Sequence, residues 1–79
     1  MPLYYFDIQI GKGPRSVDET GEDHPDLDSV RIEAGSALCG LAHEITELSG
    51  TVSSISIWVR DAIGEVLNAR LEINVTRSD

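Results

Sequence analysis

The chain has 79 residues and a formal net charge of −8, from 14 acidic and six basic side chains. A chain of this length holds one core, so residues 1–79 are predicted to form a single domain. Surfaces that bind nucleic acid need clustered lysine and arginine. One lysine and five scattered arginines therefore argue against nucleic acid as a partner.

The single cysteine, Cys39, allows no intramolecular disulfide. No run approaches the ~20 apolar residues of a membrane span, and the apolar opening Met1–Ile10 lacks the basic region and cleavage site of a signal peptide. We therefore expect a cytoplasmic protein that does not contact a membrane. Small domains without disulfides often gain stability from a metal or a partner chain, which favours association.

The segment Leu3–Ile10 alternates in polarity, which predicts a strand with one buried face. The predicted inward residues are Tyr4, Phe6, Ile8 and Ile10, and the outward ones are Leu3, Tyr5, Asp7 and Gln9. The glycine- and proline-rich segment Gly11–Pro14 predicts a turn. Arg15–Glu19 is then predicted to be a short second strand that pairs back on the first.

The stretch Pro25–Leu48 predicts the only helix. Its apolar side chains recur at steps of three and four, which places one stripe on a helix of period 3.6. The residues of this stripe are Leu27, Val30, Ala34, Leu38, Leu41, Ile45 and Leu48. Asp26 or Asp28, in the acidic loop Thr20–Asp28, is predicted to cap the start. Gly50 is predicted to end the helix in a left-handed conformation.

Two further strands are predicted after the helix. In Thr51–Arg60 the inward residues are Ile55, Ile57 and Val59, and the outward residues are Ser54, Ser56, Trp58 and Arg60. Asp61–Gly64 predicts a hairpin loop with Gly64 in the left-handed position. In Val66–Thr76 the inward residues are Leu67, Ala69, Leu71, Ile73 and Val75. The order strand, strand, helix, strand, strand predicts an α+β fold in which one helix packs on one face of an antiparallel sheet.

Four motifs carry a resemblance that spans nearly the whole chain. They are Met1–Asp7 (MPLYYFD), Asp18–Glu22 (DETGE), His24–Leu27 (HPDL) and Arg60–Leu67 (RDAIGEVL). In this order they resemble a family of short bacterial proteins, common in rhizobia and their relatives, that open with M-P-x-Y-Y-F. The resemblance implies a small cytoplasmic bacterial protein and carries no assigned activity or catalytic residues.

The segment Pro25–Leu27 also resembles the Pro-Asp-Leu turn that HicB-type antitoxins place between a β-hairpin and a helix. The sequence departs from these antitoxins because it lacks their glycine-rich turn after this motif and any DNA-binding appendage. This resemblance implies an alternative role, as the partner of a small basic toxin.

A second alternative is a metal-dependent protein. Cys39 and His43 are four residues apart on the predicted helix and therefore share a face, but a zinc site needs three or four ligands. Only His24 and loop carboxylates could complete the set. The acidic loop from Asp18 to Asp28 could bind calcium, but it does not have the ligand spacing of an EF-hand, and a solvated loop that caps the helix explains it without a ligand. No phosphate-binding loop or catalytic motif is present, so we predict no cofactor, no metal and no enzymatic activity.

Two surfaces remain as candidate interfaces. The sheet face away from the helix is predicted to carry Tyr5, Trp58 and Arg60, residue types typical of interface centres. On the helix, Ile32, Gly35, Cys39 and Ala42 lie on a second stripe that small residues would open to another helix, and Ile32, Gly35 and Cys39 are the predicted contact residues. We therefore predict a non-enzymatic domain that forms a homodimer and acts through protein–protein interaction.

Overall fold

Within residues 2–48, 54–74 and 78, which the computed structural model describes, four strands form one sheet and a single helix packs on it. The elements are β1 (Leu3–Ile10), β2 (Glu22–Asp23), α1 (Leu27–Leu48), β3 (Ser54–Arg60) and β4 (Glu65–Glu72). The order across the sheet is β2-β1-β3-β4, and every neighbouring pair is antiparallel. The predicted α+β fold is confirmed.

The core lies between α1 and the inward faces of β1 and β3. Its buried apolar residues are Tyr4, Phe6, Val30, Ala34, Leu38, Ile55, Ile57 and Val59. The helix supplies its buried residues at steps of four, and the strands supply theirs at steps of two, as the two periodicities require. Leu41 packs partly buried against this cluster, so the central part of the predicted helix stripe is confirmed.

The first helical residue does not belong to the core, although it falls on the predicted stripe. Leu27 is 49% exposed, so the predicted stripe is buried only from Val30 onward. The cap prediction is confirmed for Asp26, whose Oδ1 accepts a hydrogen bond from the amide of Ser29 at 2.8 Å. This bond satisfies one of the amide groups that the first helical turn leaves without a partner.

The second strand differs from the prediction. Arg15–Glu19 contains one isolated bridge, Ser16 to Ile8, and the strand itself lies later, at Glu22–Asp23. The segment between them leaves the ladder because the Asp18 side chain, and not a backbone carbonyl, accepts the amide hydrogen of Phe6 at 3.1 Å. The prediction of a regular strand at Arg15–Glu19 was therefore wrong.

The hairpin between β3 and β4 is closed differently from the prediction. Gly64 does not have a positive φ. Asp61 holds the loop instead, because its Oδ1 accepts hydrogen bonds from the amides of Ile63 and Gly64 at 2.8 and 3.0 Å. The sheet register shifts at Val59 and Arg60, so a bulge does lie beside the loop.

Several predictions fall on residues or side chains outside those that the structure describes. They are the inward positions Ile45, Leu48 and Val75, the cap Gly50, and the strand ends at 51–53 and 75–76. Within the described residues, β4 ends at Glu72, so Ile73 and Asn74 lie beyond the strand.

Candidate interaction surfaces

The open face of the sheet, which points away from α1, brings together the three residues predicted there. Tyr5 lies directly opposite Arg60 in the β1–β3 register, and Trp58 lies opposite Asp7 in the next row of the same face. The Arg60 guanidinium carbon is 4.6 Å from the centre of the Tyr5 ring. Tyr5, Trp58 and Arg60 are all half-buried, so none of them projects freely into solvent.

Asp7 explains why Arg60 is held in place. Asp7 is only 4% exposed, although it lies on the open face of the sheet. Its Oδ2 accepts a hydrogen bond from Arg60 Nε at 2.9 Å, and its Oδ1 accepts a longer one from Nη2 at 3.4 Å. Such a two-pronged pair fixes the plane of the guanidinium. Arg60 is therefore oriented over Tyr5 by a buried carboxylate.

Asp18 completes this network from the neighbouring loop. Its backbone carbonyl accepts a hydrogen bond from Arg60 Nη2 at 2.8 Å, and its amide donates to Asp7 Oδ1 at 2.9 Å. Its side chain accepts from three backbone amides, those of Phe6, Thr20 and Gly21. One aspartate thus links β1, β3 and its own loop.

The network shifts the pKa values of its members. Burial raises the pKa of Asp7, but the hydrogen bonds from Arg60 and from the Asp18 amide outweigh it, so the pKa lies below its usual 3.8. The bond from the Phe6 amide, with those from Gly21 and Thr20, lowers the pKa of Asp18. The hydrogen bond to Asp7 raises the pKa of Arg60. The three groups are therefore charged at neutral pH.

Trp58 also lies against an arginine side chain, that of Arg15. The guanidinium carbon of Arg15 lies 3.8 Å from the centre of the Trp58 ring, within the range of a cation–π contact. Arg15 comes from the segment predicted to be a strand, and it folds over the open face instead. The aromatic residues of this face thus each lie against an arginine.

An apolar groove opens at one end of the same face. It has a volume of about 370 Å³ and is lined by Pro2, Leu3, Tyr5, Asp61, Ala62 and Ile63. Ile63, at the tip of the hairpin, is 96% exposed. Gly21 lies close to two of the lining residues, since a Cβ at this position would lie 3.0 Å from the side chains of Leu3 and Tyr5.

The residues predicted for the helix interface lie on the outer side of α1, which we call the helix flank and define as Ile32, Gly35 and Cys39. All three are exposed, and Ile32 is 64% exposed. At ~100° per residue, Ile32 and Cys39 point almost directly away from the buried residues Val30 and Ala34. A Cβ at Gly35 would have no atom within 4 Å.

The histidine of the acidic loop belongs to the core. His24 is buried against the rings of Tyr4 and Phe6, with centroid distances of 6.2 and 5.7 Å. Its Nδ1 lies 3.1 Å from Ser29 Oγ, and its Nε2 lies 3.5 Å from Glu22 Oε1. His24 therefore connects β2 to the first turn of α1 and is not positioned beside Cys39.

Metal ligands do not gather in the part of the chain that the structure describes. No three histidine, cysteine, aspartate or glutamate side chains there are arranged to hold a metal ion. Cys39 and His43 are both exposed on α1. In the same residues, no helix combines the length and apolar character needed to cross a membrane.

Sequence reasoning identified the aromatic residues and Arg60 but missed the groups that position them, Asp7, Asp18 and Arg15. One signal was present for Asp7, which is the only charged residue in the strand Leu3–Ile10. Buried carboxylates are almost always paired, but alternation placed Asp7 on the outward face, so this signal did not predict its burial. No sequence signal identifies Arg60 as its partner, because the choice depends on the register between β1 and β3.

The fold and these surfaces define a small α+β domain with one helix on a four-stranded sheet and an arginine-supported aromatic face. Comparison with protein families places the chain within a known one. A family model described as a domain of unknown function, DUF6894, matches residues 3–73, and the chain belongs to this family. No curated protein and no solved structure matches the chain significantly.

Proposed function

We propose that this protein is a non-enzymatic cytoplasmic domain that self-associates as a homodimer and acts through protein–protein interaction. The exposure of Ile32 carries the proposal. A large apolar side chain that points away from the core loses the benefit of burial, and here it lies within a flank of small residues. Contact with a second protein surface would bury it.

The glycines of the helix support the same proposal. Gly35 and Gly40 each cost roughly 1 kcal/mol of helix stability relative to alanine. A Cβ at either position would have no atom within 4 Å, so packing within the described residues does not account for their presence. Another helix could approach closely at Gly35, because its backbone is open on that side.

The open face of the sheet offers a second contact surface. Tyr5 and Trp58 each lie against an arginine, and Arg60 is fixed by Asp7. Side chains that are already ordered lose less conformational entropy when a partner binds. Aromatic residues and arginine are also the types most enriched at the energetic centres of interfaces.

The first test is the oligomeric state of the purified chain across a range of concentrations, measured by light scattering coupled to gel filtration at physiological salt. We expect a dimer that dissociates on dilution. A chain that remains monomeric at high concentration contradicts the proposal.

Two variants then locate the contact. Ile32→Glu should shift the equilibrium strongly toward monomer, because it places a charge in the helix flank. Trp58→Ala should leave the core folded and weaken association. Ile63→Glu is the matched comparison, since it makes the same change at an exposed isoleucine that lines the groove at the end of the open face, away from the helix flank. If Ile63→Glu dissociates the dimer as strongly as Ile32→Glu does, the helix flank is not the contact.

A further inference from the structure

The outer edge of β4 is open. β4 is an eight-residue strand at the end of the sheet, and no strand within residues 2–48 and 54–74 pairs with its outer side. It contains no proline, and its one irregularity, the bulge, lies at the end nearest the hairpin. Long regular edges present unpaired backbone groups that readily accept another strand.

The inward side of β4 is also incompletely covered. Leu67, Ala69 and Leu71 face the helix layer but are only partly buried. Their counterparts on β3 are fully buried. A further strand beside the C-terminal end of β4 would extend the sheet and cover Leu71 from the open side.

We propose that the C-terminal end of β4 pairs antiparallel with the same segment of a second copy, with Leu71 opposite the partner's Leu71, so that Arg70–Glu72 of the two copies form the paired segment. The two sheets then form one continuous sheet with both helices on the same face. This inference rests on the self-association proposed above but places the contact at β4 and not at the helix flank, since a dimer paired through β4 leaves Ile32 pointing away from the sheet. The occupant of the edge is a second copy because the charges of β4 are complementary to themselves in this register.

The complementarity comes from Arg70 and Glu72, which lie on the open face at 53% and 64% side-chain exposure. With Leu71 at the two-fold axis, Arg70 of each copy lies opposite the partner's Glu72, and opposite charges at directly facing positions stabilise a sheet. Centring the pair on Arg70 or Glu72 places like charges opposite each other. Centring it on Asn68 or Ala69 gives neither charge an opposite partner.

The arginine is already oriented for such a pairing. Arg70 Nε donates to Glu72 Oε1 at 3.2 Å, and Nη1 donates to Ser56 Oγ at 3.1 Å. In the paired sheet each arginine then has one glutamate on its own strand and another across the axis. Four charges of alternating sign surround the axis, which fixes the register as well as adding stability.

The test uses the full chain and exchanges these charges. In Arg70→Glu the facing pairs become two glutamates, and in Glu72→Arg they become two arginines. Each single variant should raise the dimer dissociation constant by about tenfold or more, because two attractive pairs become repulsive. An equimolar mixture of the two variants should restore dimers, since every facing pair is again opposite in sign. The doubly exchanged chain, R70E/E72R, should also dimerise.

Sedimentation equilibrium gives the dissociation constants, and circular dichroism verifies that each variant is folded. Asp23→Arg is the control, because it makes the same kind of charge change as Glu72→Arg on β2, at the opposite edge of the sheet, and should leave the constant within about threefold of the original. Native mass spectrometry identifies the mixed dimer by its mass.

The outcomes separate this inference from the proposal on which it rests. A dimer that the single exchanges weaken and the mixture restores supports β4 pairing. A dimer that is unaffected by the exchanges, or weakened and not restored by either the mixture or the double exchange, overturns β4 pairing and leaves self-association standing. A wild-type chain that is monomeric overturns both.

Discussion

The two edges of the sheet are constructed in opposite ways. The edge beside β1 is irregular, because β2 has only two residues and the segment before it leaves the ladder at Asp18. The edge at β4 is a regular strand of eight residues. The first edge is completed by the chain itself, with a carboxylate in place of a backbone carbonyl. The β4 edge has no neighbouring strand on its outer side among the described residues. We therefore expect substitutions at the first edge to affect folding and substitutions at the β4 edge to affect binding.

The largest effect is expected at the completed edge. Asp18→Ala removes the acceptor for three backbone amides and should lower the free energy of unfolding by about 3 kcal/mol, since hydrogen bonds to a charged group are among the stronger ones. Urea denaturation measures the loss. Glu19→Ala is the matched control at an exposed neighbour and should change stability by less than about 0.5 kcal/mol. Equal effects of the two substitutions would show that the edge does not depend on Asp18.

Acid should produce part of the same loss. The pKa values of Asp7 and Asp18 are lowered in the folded state, so their charged forms stabilise the fold above the usual value of 3.8. This contribution is lost as the pH falls below that value and through the lowered pKa. Protonation should cost less than Asp18→Ala, because a protonated carboxyl still accepts hydrogen bonds.

The measurement is the free energy of unfolding at a series of pH values from 6 to 2. In Asp18→Asn the curve should be shallower below pH 4 than in the original chain, because one of the linked protonations is missing. Parallel curves would mean that the Asp18 carboxylate does not contribute to the acid sensitivity.

A smaller effect is expected at Gly21, where the completed edge turns back toward β1. Gly21 has a φ of +77°, and a Cβ there would lie 3.0 Å from Leu3 and Tyr5. Gly21→Ala should therefore lower the free energy of unfolding by about 1–2 kcal/mol. Gly40→Ala is the control within the helix and should raise it by roughly 1 kcal/mol. If Gly21→Ala and Gly40→Ala change the free energy of unfolding in the same direction, Gly21 is not required for the turn.

The smallest effect on folding is expected at the open edge. Arg70→Ala removes an exposed ion pair with Glu72 and should change the stability of the monomer by only about 0.5 kcal/mol. The measurement belongs at a protein concentration low enough for the chain to be monomeric. A loss comparable to that of Asp18→Ala would mean that β4 needs Arg70 to fold, and the distinction between the two edges would disappear.

The regular parts of the fold could be predicted from the sequence because they follow from periodicity. Leu3–Ile10 alternates and forms β1 with the predicted bounds, and the core residues of α1 follow the predicted stripe from Val30 to Leu38. The Asp26 cap follows from the preference of its residue type for that position. These features depend on neighbours within a few residues.

For the candidate surfaces, the sequence predicted which residues share a face but not the contacts between them. Alternation placed Tyr5, Trp58 and Arg60 on the open face, but the contacts that fix them depend on partners far away in the chain. The strand predicted at Arg15–Glu19 was wrong because the Asp18 side chain replaces a backbone carbonyl as acceptor. Such a replacement does not change the pattern of apolar residues from which strands are predicted. Leu27 was predicted to be buried and is 49% exposed, since a periodic pattern does not show how far along a helix the packing on the sheet extends.

The bond between Asp7 and Arg60 joins residues 53 positions apart, and this separation has a consequence for synthesis of the protein. When β1 and the helix have left the ribosome, the carboxylate of Asp7 still lacks the guanidinium of Arg60, which donates its side-chain hydrogen bonds. Burying it at that stage would carry the cost of an uncompensated charge. We therefore expect β1 to remain unfolded until Arg60 has left the ribosome, so that the domain folds late and in one step.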